Sequence, residues 1–227
     1  MEASTAIVHE QPSDQTVITI TNIKLSLKVA SQESLDVIHE RCVSQFCLIV
    51  TRYPNFLVIK QKAPSKLRII YFKRNNNRLP ESVDTVSTCH LNCTGFAAFE
   101  DIDTVVDLVS QISLCPISSI TQSIDNISGV TNAISVAAKQ LHLSGGINLN
   151  RLSSFIQQHF PAANVRFNAE IFGSMVCKLD KCVILVYPST KIVFLGSKSL
   201  GHIGAAIRWL VGAFQSAITH FNKSTVN

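Results

Sequence analysis

The sequence predicts an α+β fold made of two pseudo-symmetric repeats, each an antiparallel strand set with helices on one side. Three observations predict it. The elements of the first half recur in the same order in the second. Paired landmark residues recur with them. A hydrophobic content of 46% over 227 residues supplies enough apolar side chain for a core, which excludes long disorder.

VITITNIKLSLKV (17–29) alternates apolar and polar residues and reads as a strand. SLDVIHERCVSQF (34–46) places Leu35, Ile38 and Cys42 on one helical face. FLVIKQKAPSKLRIIYF (56–72) reads as a hairpin turning at Ala63-Pro64-Ser65. VSTCHLNCTG (86–95) is a further strand, and FEDIDTVVDLVSQI (99–112) a helix with Ile102, Val105, Val106, Val109 and Ile112 on its buried face. The second half replays this order: strand 129–138, helix 148–160, hairpin 170–187 turning near Asp180, strand 191–198 and a closing helix 200–221. That helix carries Leu200, Ile203, Ile207, Leu210, Phe214 and Ile218 as a stripe. The resulting division is a flexible tail over 1–16, a first repeat over 17–113, a polar Ser-rich linker over 114–128, a second repeat over 129–221 and a short tail over 222–227.

The landmarks fall in pairs. A strand asparagine stands at Asn22 and Asn132. Aromatics flank the hairpins as Phe56 with Tyr71 and Phe172 with Tyr187, 15 residues apart in both halves. A glycine follows the last strand at Gly95 and Gly196. From tyrosine to glycine the first repeat spans 24 residues and the second 9, so the first holds an extra polar loop at 73–87. Each asparagine alone also suits a strand edge or turn, and each aromatic also suits a core. Their recurrence at equivalent places favours a shared role.

Charge is +5 overall and unevenly spread. Eight basic residues and no acid lie between Arg52 and Arg78, whereas Glu100, Asp101, Asp103 and Asp107 cluster on one helix. These are either solvated faces or surfaces for phosphate and for a basic protein. The seven cysteines have no CxxC spacing, which suits free thiols in a reducing compartment. No apolar run reaches the roughly 18 residues of a membrane span, and no signal peptide is read at the N-terminus. Cys89, His90 and Cys93 invite a zinc reading. On a strand, however, His90 points away from both thiols, so no metal site is expected. Nucleophile elbow, phosphate loop, paired carboxylates and metal-binding histidine spacing are all missing from the sequence, so neither catalysis nor a cofactor is expected.

The repeated order of strand, short helix, hairpin, strand ending in Gly-x-Lys and long helix resembles the core of the TATA-box-binding protein family. ILVYPSTKIVFLGSK (184–198) is similar to that family's L-I-F-x-S-G-K-V-V-x-T-G-A-K, EIFGSM (170–175) to its E-L-F-P-G-L, and TNIKLSLKV and TNAISVAAK to its Q-N-[IM]-V strand. The resemblance covers about residues 17–214 and fits a divergent, TATA-binding-protein-like factor. It implies a saddle whose helices lie on the convex face and whose concave sheet sits on the minor groove of A·T-rich double-stranded DNA. Aromatics would then wedge between base steps and kink the duplex, a mechanism for which this family is itself the standard example. Carried over, Asn22 and Asn132 match groove-reading asparagines, Phe56 with Tyr71 and Phe172 with Tyr187 match the wedges, Thr94 and Val193 match groove contacts, and Lys178, Lys191 and Lys198 match basic positions.

The implied function is transcription initiation in the nucleus (or in a cytoplasmic factory for a viral chain), with transcription factors IIA and IIB and the RNA polymerase machinery as partners and no membrane. Self-association through the concave face as a homodimer is a further expectation. The chain departs from the family at Leu195, Asn92 and Lys24, has Tyr at both second wedge positions, and carries an acidic helix where the family's is basic. These departures favour a second expectation, a protein-docking saddle without sequence-specific TATA recognition. A third, an accessory domain of a nucleic-acid enzyme, finds no catalytic partner domain in the sequence.

Overall fold

The computed structural model describes residues 5–8, 16–31, 33–62, 66–73, 88–132 and 148–223. The turn at Ala63–Ser65, most of the 73–87 loop and the end of the strand expected over 129–138 lie outside them. In chain order the elements are β1 (Thr5–Val8), β2 (Thr16–Ala30), α1 (Leu35–Ser44), β3 (Ile49–Arg52), β4 (Phe56–Lys60), β5 (Arg68–Lys73), β6 (Thr88–Phe96) and α2 (Asp101–Ser113). A 3-10 turn at Ile117–Ser119 leads to β7 (Thr121–Thr131). There follow α3 (Leu149–His159), β8 (Asn164–Asn168), β9 (Phe172–Leu179), β10 (Cys182–Val186), β11 (Ile192–Ser197) and α4 (Leu200–Lys223). Strands on one side and helices on the other give the expected α+β class.

The chain forms two units, Asn22–Asp125 and Thr5–Thr21 with Asn126–Asn227. In the first, β3, β4, β5, β6 and the Asn22–Ala30 part of β2 lie side by side, all antiparallel. In the second, the earlier part of β2 is followed by β7, β11, β10, β9 and β8, with β1 also on β2. Here Thr131 Oγ1 donates to the Val17 carbonyl at 2.6 Å and Thr21 Oγ1 to that of Ser128 at 3.2 Å.

Strand alternation decides what is buried. In the first unit Leu25, Leu27, Val29, Leu57, Ile59, Ile69, Tyr71, Leu91 and Cys93 point to the helix side and are at most 2% exposed. They meet Leu35, Ile38 and Cys42 of α1 and Val105, Val109 and Ile112 of α2. Ser34 caps α1 by accepting from the Val37 N–H, and Asn148 caps α3 by accepting from that of Arg151. Arg41 binds Glu33 at 3.3 Å and donates to the Ile112 carbonyl at the end of α2, where a cation is favoured. In the second unit Met175, Cys177, Ile184, Val186, Ile192 and Phe194 are fully buried with Ile203, Leu210 and Ala213 of α4.

Several expected boundaries change. The 114–128 linker is largely β7. Its polar run is strand because backbone hydrogen bonds, rather than apolar side chains, hold its exposed start at Thr121, Gln122 and Ser123. The 1–16 tail contains β1, and α4 runs on to Lys223. The strands β3 and β8 lie outside the expected elements as well. Both are short edge strands with mostly exposed side chains, so alternation against a core is weak in them.

Six of the seven thiols are buried and Cys47 is exposed. Burial pushes Cys93 and Cys177 up to about 12, and Cys42 and Cys182 up to about 11. Between about pH 9, where the unfolded thiols ionise, and pH 12, the folded chain holds protons that the unfolded chain has lost, so stability should fall as pH rises. At pH 8, native protein treated with iodoacetamide should take up one label quickly, at Cys47, and the remainder only at the rate of unfolding. Fast labelling of Cys177 would contradict this packing.

Among the described residues, no helix is long and apolar enough to cross a membrane, and no group of three or more His, Cys, Asp or Glu is placed to hold a metal ion.

Candidate nucleic-acid interface

Opposite the helices, each unit presents a sheet face whose side chains are mostly half-exposed. In the first unit the register sets out its rows. Phe56, Phe72, His90 and Lys28 stand side by side across β4, β5, β6 and β2. Val58, Ile70, Asn92 and Ser26 form the next row. Lys60, Arg68 and Thr94 form the third. The face thus has an aromatic end, a mixed middle and a basic edge.

The aromatic end differs from the sequence expectation. Tyr71 is fully buried on the helix side, and its hydroxyl accepts from Ser113 Oγ at 3.4 Å. Burial holds its phenol well above the usual tyrosine range. Its neighbour Phe72 takes the outward place, 36% exposed, with its ring centroid 5.5 Å from that of Phe56. Tyr53 stacks on the other side of Phe56 at 4.4 Å. Equal spacing in the two hairpins points to Tyr71. Strand parity points to Phe72, because a residue directly opposite Phe56 in an antiparallel pair shares its face.

In the second unit, Val176, Leu185, Val193 and Val130 form one row across β9, β10, β11 and β7, and Lys178, Val183 and Leu195 another. Phe172 is 46% exposed at the start of β9, and Tyr187 is half-buried just after β10. Lys178, Lys191 and Lys198 are exposed. Arg166 on β8 lies opposite Val176 and adds an exposed cation to the outer edge, one that sequence reasoning misses along with its strand.

The asparagine pairing also changes. Asn22 Oδ1 accepts the Gly95 N–H at 3.0 Å, and Asn126 Oδ1 accepts the Gly196 N–H at 2.7 Å. Both glycines have positive φ, 92° and 77°, and both sit where the strand register shifts. The counterpart of Asn22 is therefore Asn126. Asn132 is exposed at the end of β7, six residues further on. The offset follows from reading β7 as linker. Each asparagine fastens a β-bulge, an extra residue that bends its strand. Asn126→Ala should lower stability by about 1–2 kcal/mol, and Asn132→Ala should leave it nearly unchanged. Equal melting temperatures for the two variants would contradict the assignment.

One cluster on the first unit's face has no polar equivalent in the aliphatic rows of the second. Lys24 Nζ lies 3.5 Å from Asp125 Oδ2, and Ser26 Oγ contacts both that oxygen and, at 3.2 Å, Asn92 Oδ1.

Residues 134–217 match the family model described as transcription factor TFIID, or TATA-binding protein. Among solved structures, the TBP of Methanococcus jannaschii is similar over 88% of this chain and 98% of its own, with a TM-score of 0.61 and 18% identity. An aspartate kinase of Clostridium acetobutylicum overlaps 87% of this chain and 34% of its own at 10% identity, but its TM-score of 0.23 is too low to carry an argument. No curated protein sequence matches. The fold is that of the TATA-binding protein. The family model covers the second half of the chain, and the structural likeness extends over both halves.

Proposed function

We propose that this protein is a general transcription initiation factor that binds promoter DNA in the minor groove, bends it and recruits the initiation machinery in the nucleus. The observation that carries the reading is the composition of the open sheet faces. Each combines aliphatic side chains, in full rows on the second unit and as Val58 and Ile70 on the first, with exposed aromatic rings at one end and cations at the edge. Aliphatic side chains suit the floor of a groove, rings replace the stacking lost at a kink, and lysines neutralise phosphate. Phe56 with Phe72 is the first wedge pair and Phe172 with Tyr187 the second. Asn22, Asn126, Thr94 and Val193 meet the groove, while Lys178, Lys191 and Lys198 meet phosphate. Transcription factors IIA and IIB and RNA polymerase are the partners that would follow from this role.

The test is a binding-and-bending assay on a short A·T-rich duplex against an all-G·C control across a salt series. Affinity that falls steeply with salt, with end-to-end shortening confined to the A·T-rich duplex, is expected. A second reading, a protein-docking surface without sequence-specific DNA binding, is favoured by the Lys24–Asp125 pair, since a carboxylate on this face opposes phosphate. Absence of binding to any duplex, with retained capture of transcription factor IIA or IIB, would select it.

A further inference from the structure

The polar cluster on the first unit's face bears on sequence preference, given the groove-binding role proposed above. The minor groove has a small vocabulary. A·T and T·A pairs present only acceptors there, adenine N3 and thymine O2. A G·C pair adds one donor, the guanine N2 amino group. A surface that reads A·T should therefore offer donors and apolar atoms. The second unit's rows, Val176–Leu185–Val193–Val130 and Val183–Leu195, offer apolar atoms.

The first unit's middle row does so only at Val58 and Ile70, and beside them lies a polar cluster. A hydroxyl carries one proton, yet Ser26 Oγ faces two oxygens, Asp125 Oδ2 and Asn92 Oδ1. The carboxylate is the stronger acceptor and takes that proton. Asn92 then satisfies the hydroxyl only by turning its NH2 toward it, since amide orientation follows the network, and its carbonyl is then not used by Ser26. Lys24 offsets the charge of Asp125 from 3.5 Å, and the two side chains remain 41% and 34% exposed. The cluster thus holds two acceptors not used by Ser26, Asp125 Oδ1 and the Asn92 carbonyl, beside one cation.

We infer that Asp125 and Asn92 make the first unit select a G·C pair in the part of the duplex it covers, by accepting from the guanine N2 amino group. Against A·T the same oxygens meet only acceptors, so the cluster also acts against an all-A·T site. The first unit's preferred stretch of duplex is then interrupted by G·C.

Inosine isolates this contact. An I·C pair lacks the N2 amino group, so its minor-groove edge matches A·T while its major-groove edge matches G·C. The experiment is fluorescence anisotropy of the full chain on an A·T duplex scanned with one G·C pair at each position, and again with I·C at the same positions. At one or two neighbouring positions on one side, G·C should bind about tenfold more tightly than I·C. Asp125→Ala and, separately, Asn92→Val should erase that difference and should strengthen, not weaken, binding to the all-A·T duplex. Near-ultraviolet circular dichroism of both variants reports that they are folded. Tight binding with G·C and I·C equal at every position overturns the inference and leaves the groove-binding role standing. Failure to bind any duplex overturns both.

Discussion

The double variant Phe56→Ala, Phe72→Ala should bind an A·T-rich duplex without bending it and should melt close to the parent protein. Both rings stand on the open face, Phe72 is 36% exposed, and their centroids are 5.5 Å apart. Removing them takes away little buried area but all of the flat surface available at that end to an unstacked base step, apart from Tyr53. Loss of a wedge that offsets a few kcal/mol of unstacking should leave weaker and nearly straight complexes. Tyr71→Ala supplies the contrast. Its ring is fully buried, so truncation leaves a cavity and costs about 3–5 kcal/mol of stability. Whatever Tyr71→Ala protein remains folded should still bend DNA. A Förster-transfer measurement on end-labelled duplex, read beside thermal melts, separates the two. Normal bending by the double variant would remove these rings from the mechanism.

Gly95→Ala should be more disruptive than the same change at Gly129, Gly173, Gly196, Gly201 or Gly212. A Cβ at this position would lie 1.9 Å from the Lys66 carbonyl oxygen and 2.6 Å from its carbon, both backbone atoms that a rotamer change cannot move. The φ of 92° adds strain of its own. The expected loss is about 4 kcal/mol or more, on the order of 10 °C in Tm for a chain of this size. Gly196 occupies the equivalent bulge with a φ of 77°, but nothing lies within 4 Å of its Cβ position. Gly196→Ala should therefore cost only the backbone term, about 1–2 kcal/mol. Equal melting temperatures would mean that the Lys66 backbone yields, and that the first bulge is no more crowded than the second.

The fold is legible in the sequence wherever one face of an element is buried. Residues 34–46, 99–112, 148–160 and 200–221 read as helices because a core stripe gives them a period, and the structure places α1, α2, α3 and α4 there. The hairpin at Asp180 is legible for the same reason. What escapes is strand held by backbone pairing alone. Thr121, Gln122 and Ser123 have exposed side chains and carry no signal of burial. Reading that strand as linker moves the asparagine match from Asn126 to Asn132. The exchange of Phe72 for Tyr71 has a different cause. Spacing between landmarks is a one-dimensional measure, whereas the face a strand residue occupies depends on pairing register, and a single-residue difference reverses it. The Lys24–Asp125 contact is beyond sequence reading altogether, because its partners are about a hundred residues apart and Asp125 falls in the supposed linker.

The strands β2 and β7 each supply residues to both units, with the divisions falling between Thr21 and Asn22 and between Asp125 and Asn126. Two repeats in tandem invite the idea that each is a cassette, to be expressed, exchanged or evolved separately. Cuts at the repeat boundaries would remove contacts from inside each unit. A fragment beginning at residue 129 would lack both Asn126, which fastens Gly196, and the Val17 carbonyl that receives Thr131. A fragment ending at residue 113 would lack Asp125, the partner of Lys24 and Ser26. The duplication is visible in the order of elements, but the two units do not begin and end where the repeats do.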